Sequence, residues 1–326
     1  MLEKDRILVS VIMSCYNEKE REIYLAIDSI IKQTYKNWEL ILICDNPKRV
    51  DLYTTLKKNY RNEKRIKIEL NSKNMGLALS MNKAAKMANG KYLMRMDSDD
   101  ICLETRMVDQ LDYMIAKELD LCCTNFIYID EEDKQISIEY KMYNNYNLKK
   151  LLPFENTIHH PTVMLKKECF DRVDGYRNFP CSQDYDLWLR LYDIEARMGI
   201  LKKVLLKYRI RRDSISQVNR MKQVNTIWYI QKCFWKRKKG IDIYSTENYN
   251  KYLKKNKVFD KKFEESFNRY KEIKFMIDLY RKKKKMNRCF LIIFLICKSE
   301  FYRKYYFKML ENKMRYYFLE NINKIK

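Results

Sequence analysis

Over its first 130 residues the chain alternates short, densely apolar runs with longer stretches of helical periodicity, and this alternation limits the possible folds severely. "ILVSVIMSCY", "WELILICD", "RIKIEL", "KYLMRM" and "LDLCCTNFIYID" read as strands. Between them, "EREIYLAIDSIIKQTY" sets Ile23, Ile27, Ile30 and Ile31 on one helical face. "VDLYTTLKKNY", "NMGLALSMNKAAKMANG" and "LETRMVDQLDYMIAKE" continue the series, with Gly90 placed as a helix C-cap. The pattern predicts an α/β fold, a Rossmann-like and mostly parallel sheet covered by helices on both faces. In such sheets ligands bind beyond the carboxyl ends of the strands. That rule selects Ser14 to Glu18, Asp45 with Asn46, and Asp97 to Asp100, all polar and all following apolar runs.

Further along, the pattern changes. From Asn144 to Gln217 it is less regular, with "HHPTVMLKKECF" and "SQDYDLWLRLYD" as landmarks. Beyond Val218, Lys, Tyr and Phe interleave in helix-compatible text, with no Gly after Gly240 and no Pro after Pro180. This last third carries 30 of the 67 Lys and Arg but only 10 of the 43 Asp and Glu, so most of the net charge of +24 belongs to it. The expected organisation is a catalytic domain over 1–217, divided into halves 1–130 and 131–217, followed by a basic, aromatic-rich helical extension over 218–326.

The 10 Cys contain no C-x-x-C pair, and the 2 His are adjacent, so a zinc site has little to draw on. Cys44, Cys169, Cys233 and Cys297 lie in apolar runs, as small hydrophobes do in a reducing compartment. "MLEKDRILVSVIM" lacks the layout of a signal peptide, and "CFLIIFLIC" is too short to span a bilayer. A cytoplasmic protein is expected.

The stretch "KYLMRMDSDD" ends in three carboxylates within four residues. Like charges that close repel one another and lose hydration, so a positive partner should sit among them. Asp97 and Asp99 form a hard oxygen site suited to Mg²⁺ or Mn²⁺, which would neutralise them and bridge phosphate oxygens. Taken alone, the same residues read equally as an Asp-rich turn capping a helix that starts near Leu103.

Four segments in order, "VSVIMSCYNE", "DSIIKQTYKNWELILICDN", "NMGLALSMNKAAKMANGKYLMRMDSDD" and "SQDYDLWLRL", resemble the family 2 inverting glycosyltransferases with the A-type fold. The resemblance covers Ile7 to Ser216. It implies a nucleotide-sugar donor, UDP-linked, with Tyr16 stacking on the uracil and Ser14 and Glu18 lining the pocket; by its residue type alone Tyr16 could also be core. Asp45 matches the second acidic residue of the family's D-D-G-S and would accept from the pyrimidine N3–H, although Cys44 and Asn46 replace its neighbours. Gly76 and Asn82 match a helix facing the donor, with Met81 where a basic residue is common. Asp97 is implied on the ribose or metal, and Asp99 as the metal ligand, with Mn²⁺ or Mg²⁺ as cofactor. That leaves Asp100 to cap the next helix.

Asp184 corresponds to the carboxylate of "E-D-Y-D-L-W-L-R", implied as the base that takes the acceptor's hydroxyl proton. Its competing role is an N-cap. Asp186, two residues on, should point elsewhere. Gln183 replaces a Glu and, with His160 of "HHPTVM", falls on the acceptor side; a structural His160 is the other reading. In "KYRIRRDSIS", Arg211 takes the place of a His that joins the metal or diphosphate in relatives, and arginine can pair with a diphosphate.

"WKRKK" (Trp235 to Lys239) and "RKKKK" (Arg281 to Lys285) flank stretches rich in Tyr and Phe, the composition of a contact with anionic membrane. Plain packing of an apolar helix is the alternative, and nucleic acid is not expected because no recognised motif accompanies the charge. A nicotinamide dehydrogenase is disfavoured, because "SCYNE" and not a Gly-rich loop follows the first strand. Two functions follow: transfer of a sugar to a surface-glycan acceptor such as capsule, lipopolysaccharide or another lipid-linked saccharide at the cytoplasmic face of the inner membrane, or a non-catalytic basic scaffold binding membrane or polyanion.

Overall fold

All seven residues of β1 (Val9–Cys15) and all seven of β2 (Trp38–Cys44) are buried, as the unbroken apolar runs require of strands covered on both faces. The computed structural model describes residues 6–139, 145–211, 220–256, 258, 265–266, 302–312 and 314. The chain divides into two compact units, Met1–Val218 and Asn219–Lys326.

In the first unit, helix α1 (Glu20–Ile31) follows β1, and α2 (Val50–Asn59) links β2 to β3 (Ile66–Leu70). Helix α3 (Leu77–Met87) leads into β4 (Tyr92–Asp97). These four strands pair in parallel in the order β3-β2-β1-β4. After β4 come a two-residue strand, β5 (Ile101–Cys102), and α4 (Arg106–Ala116), then β6 (Leu121–Ile129) and β7 (Gln135–Glu139). Helix α5 (Asn145–Leu151) and a 3₁₀ turn (His160–Thr162) precede β8 (Met164–Lys166), α6 (Lys167–Arg172), α7 (Gln183–Asp193) and β9 (Met198–Arg209). The sheet continues from β4 through β8, β6 and β9 to β5, with β7 on β6. Here β8 runs antiparallel to both β4 and β6, while β6 and β9 are parallel. A mixed edge on a parallel core explains why residues beyond Asn144 lack a simple alternation: β8 has three residues, too few to show a period.

Two expectations from the sequence need correcting. Gly90 does not cap α3, which ends at Ala88 in an extended conformation. A Cβ at Gly90 would stand 2.6 Å from Ser10 Oγ and 2.7 Å from the Leu8 carbonyl oxygen, so the glycine is needed for the close approach of β4's start to β1. Asp100 does not cap the following helix either: α4 has Thr105 as its N-cap residue, and Asp100 is buried with Oδ1 accepting from the Arg209 N–H at 2.9 Å.

The described elements of the second unit include α8 (Arg220–Arg237) and α9 (Thr246–Lys255). They meet through Tyr229, whose ring centroid is 5.4 Å from that of Tyr249 and 5.0 Å from that of Tyr252. Ser245 caps α9 by accepting from the Asn248 N–H at 3.0 Å. In "WKRKK", Lys236, Lys238 and Lys239 are exposed. "RKKKK" and "CFLIIFLIC" lie outside the described residues. Among the described residues, no helix is long and apolar enough to cross a membrane.

Candidate active site

The strand register brings the predicted positions to one edge. Ser14 pairs with Ile43 on one side and Asp97 on the other, and Cys15 pairs with Cys44. Ser14 is buried in the sheet, whereas Tyr16 just beyond it is 41 % exposed and is not a core residue. The Glu18 carboxylate accepts from the Tyr16 N–H at 2.5 Å, and Arg49 Nη1 donates to the Glu18 carbonyl at 2.8 Å. Asp45 is buried with both oxygens engaged: Oδ1 accepts from Asn71 Nδ2 at 2.7 Å and the Met75 N–H at 2.9 Å, and Oδ2 from the Gly76 N–H at 2.8 Å. Its charge thereby shapes the 71–76 loop and the start of α3. Gly76, at φ 80°, makes that turn with a backbone few other residues adopt.

Two of the carboxylates after β4 have arginine partners, while Asp100 accepts from the backbone N–H of Arg209. Arg95, fully buried on β4, pairs with Asp97. Arg209, at the end of β9, donates from Nε to the Asp99 carbonyl at 2.8 Å and from Nη1 to the Asp130 carbonyl at 2.8 Å. Arg211 Nη2 lies 3.2 Å from Asp99 Oδ2. Even so, burial and the neighbouring Asp97 push the Asp99 carboxyl up to about 7, against the pull of Arg211. Burial and the charges of Asp99 and Asp97 also raise Asp100 well above the usual carboxylate range. A further cationic contribution would be stabilising here.

The donor set fits a divalent cation of the Mg²⁺ type. Among the described residues, no group of three or more His, Cys, Asp or Glu forms a metal cage. Mg²⁺ needs none, because it is held by one or two carboxylates with waters and substrate phosphates. Asp97 and Asp99 are the residues that would hold it.

On the other side, α7 begins after Ser182, a left-handed residue at φ 56° that turns the chain into the helix. Gln183 opens the helix and is buried; Asp184 follows, half-buried, with Oδ2 accepting from Asn156 Nδ2 at 2.9 Å. Burial raises the Asp184 carboxyl, opposed by the Asn156 hydrogen bond, by backbone N–H groups and by the charge of Arg95. Asp186 points elsewhere, as expected: it is buried against Arg190 Nε at 2.8 Å. Arg190 then donates to the carbonyls of Val173 and Gly175. This fixes the turn carrying Tyr176, whose hydroxyl lies 2.7 Å from His160 Nε2. Burial and the charge of Arg95 hold His160 well below its ordinary value, so it is neutral. Asn82 does not stand free toward a donor: its carboxamide makes two hydrogen bonds to the Tyr176 backbone. Burial raises the Tyr176 phenol, opposed by the charge of Arg95 and aided by the charges of Asp184 and Asp97.

The sequence reading did not single out Arg95 and Arg209. A lone basic residue in "KYLMRMD" carries a usable signal, since a strand buried on both faces holds a charge only if that charge is paired. Also missed was an aromatic wall on β6 and β9. Tyr128 and Tyr208 meet edge to face with centroids 5.8 Å apart, and Phe126 and His159 pack beside them at 4.5 Å from each other. The Tyr208 phenol is raised by burial and by the charges of Asp100, Asp97 and Asp99, and the next residue on β9, Arg209, donates its N–H to Asp100.

This sheet, with its acidic strand edge, defines a glycosyltransferase of the A-type fold. The chain belongs to glycosyl transferase family 2, whose sequence model matches residues 10–173. It is 34 % identical over 242 residues to the uncharacterized glycosyltransferase MJ1057 of Methanocaldococcus jannaschii, covering 73 % of this chain and 82 % of that protein. Over 230 residues it is 31 % identical to the UDP-Glc:alpha-D-GlcNAc-diphosphoundecaprenol beta-1,3-glucosyltransferase WfgD of Escherichia coli, covering 69 % and 85 %. Its fold resembles that of S. aureus TarS 1–349 crystallised with UDP-GlcNAc, at TM-score 0.55 and 17 % identity over 69 % of this chain and 66 % of that one.

Proposed function

We propose that the protein is a metal-dependent, inverting glycosyltransferase that moves a sugar from a UDP-linked donor to a hydroxyl of a lipid-linked surface glycan. The observation that carries this reading is the presence in one unit of two unlike carboxylate sites: Asp97 and Asp99 paired with arginines, and Asp184 at a helix start, hydrogen-bonded to Asn156 and with an upward-shifted carboxyl. The first suits a diphosphate and its cation. The second suits a base.

Each residue then has a task. The exposed Tyr16 ring stacks on the base of the nucleotide, and Ser14, Glu18, Asp45 and Gly76 shape the pocket beneath it. Asp184 takes the proton of the acceptor hydroxyl as that oxygen bonds to the anomeric carbon. The bond from that carbon to the diphosphate oxygen breaks on the opposite face, and the configuration inverts. Arg211 meets the charge that develops on the departing diphosphate. Asp97 and Asp99 would hold a divalent cation, which would supply Lewis-acid stabilisation of the same charge. Neutral His160, held by Tyr176, and Gln183 border the acceptor. The UDP-Glc donor and diphosphoundecaprenol-linked acceptor in the name of WfgD, and the UDP-GlcNAc bound to TarS, support this choice of substrates. An acceptor on a polyprenol would also give the basic second unit a use at the cytoplasmic face of the inner membrane.

The test incubates the full chain with Mn²⁺ or Mg²⁺, a panel of UDP-, GDP- and dTDP-sugars, and GlcNAc-diphosphopolyprenol. Released nucleotide is measured, and the product's anomeric configuration is read by NMR. Inverted product from a UDP-sugar, lost in Asp184→Asn, is expected. Absence of turnover across the panel, with wild type, Asp99→Ala and Asp184→Asn binding UDP and Mn²⁺ alike, would leave the scaffold reading in its place.

A further inference from the structure

Arg211 sits among three carboxylates. Its Nη2 is 3.2 Å from Asp99 Oδ2 and 3.8 Å from Glu18 Oε1, and its Nη1 donates to Glu22 Oε2 at 3.3 Å. Asp99 follows β4, while Glu18 and Glu22 flank the start of α1, so one guanidinium ties two elements at the donor edge. The group is largely sheltered, with Arg211, Glu18 and Asp99 side chains each 18 % exposed and Glu22 at 1 %. Water therefore screens these charges less than it would at an open surface. Glu22 Oε1 is buried without a hydrogen-bond partner among the described residues, so negative charge is in excess. The pocket is a cation site that already holds one cation, covalently part of the chain.

Building on the reading given above, we propose that Arg211 and the divalent cation compete for Asp99, and that the donor's diphosphate ends the competition by drawing the guanidinium away. The chemistry of the partners gives the reason. A guanidinium pairs with a phosphate through the same planar fork it offers a carboxylate. Without nucleotide, a metal ion that approaches Asp99 meets a fixed positive charge on the same oxygen and must displace it. With a diphosphate present, Arg211 has a second anion to bind, and Asp99 is released to the metal. Metal and nucleotide therefore strengthen each other's binding beyond their direct contact, and the coupling is equal in both directions. Glu18 and Glu22 keep the guanidinium at the edge of the site between turnovers.

Mn²⁺ binding to the full chain, followed by the EPR signal of the free ion with and without UDP, tests this. Wild type should bind Mn²⁺ weakly alone and much more tightly with UDP. Arg211→Gln should bind Mn²⁺ alone about ten-fold tighter than wild type, by removal of one sheltered repulsion, and should gain less from UDP. Arg211→Lys, which keeps the charge without the fork, should fall between the two. Asp99→Asn should lose Mn²⁺ in every condition. Thermal denaturation without metal confirms that each variant is folded, and Arg211→Lys carries the comparison should the Gln variant fail to fold. Equal or weaker Mn²⁺ affinity in Arg211→Gln, with Asp99→Asn still defective, overturns the competition and leaves the transferase reading intact. Wild type that fails to bind Mn²⁺ even with UDP, or Asp99→Asn that binds as wild type does, overturns the competition together with the assignment of the metal to Asp99.

Discussion

Asn82 holds Tyr176 by both ends of its carboxamide: Nδ2 donates to the Tyr176 carbonyl and Oδ1 accepts its N–H, each at 2.8 Å, across 94 residues of sequence. Helix α3 is thereby fixed to the turn that sets Tyr176 against His160. Gly175 is part of the same arrangement, since a Cβ there would stand 2.6 Å from Asn82 Oδ1.

Asn82→Ala removes both hydrogen bonds and should cost about 1–3 kcal/mol in urea denaturation. Turnover should fall because Tyr176 and His160 shift, while the donor KM stays near that of wild type. A raised donor KM at unchanged stability would instead assign Asn82 to the nucleotide.

The raised Asp184 carboxyl fixes the sign of the pH dependence. A base works only when ionised, so kcat should fall about ten-fold per pH unit below its pKa, with the acid limb above the ordinary carboxylate range. The Asn156 hydrogen bond is the main influence holding that pKa down against burial. Asn156→Ala should therefore move the acid limb to higher pH. A limb that stays in place in this variant would count against Asp184 as the group being titrated.

Gly90→Ala tests the correction made to that residue. Its Cβ would meet the Leu8 carbonyl oxygen and the Ser10 backbone nitrogen, each at 2.7 Å, and backbone yields less readily than a side-chain tip. The expected cost is about 1–3 kcal/mol, read as a lowered Tm. Turnover per folded molecule should not change, because Gly90 lies at the opposite end of β4 from Asp97.

The sequence made the parallel half of the sheet legible because its strands are unbroken apolar runs, and the strand-end rule located Ser14, Asp45 and Asp97 together. Three features were not legible, each for its own reason. The role of Gly90 depends on Leu8 and Ser10, the latter 80 residues away in sequence, and a glycine at a helix end looks like a cap wherever its neighbours are unknown. The position of Asp100 depends on Arg209, which reaches it from 109 residues on. Asn82 and Asp45 look like ligand contacts because their types and positions match a motif, yet both are also engaged by neighbouring protein groups. Residue type records what a group can bind. Only the fold records what it has already bound.

That long reach has a further consequence, set by the order in which the chain is made. A ribosome that has passed Asp100 has released Asp97, Asp99 and Asp100, but of the arginines that contact them only Arg95 exists. The parallel strands β1 to β4 exist in full at that stage, whereas Asp100 must await the backbone N–H of Arg209 and Asp99 the guanidinium of Arg211. A chain cut short before β9 would therefore have a framework without a balanced site. Birth order thus makes the last strand of the first unit the step at which Asp99 acquires its cationic partner, Arg211.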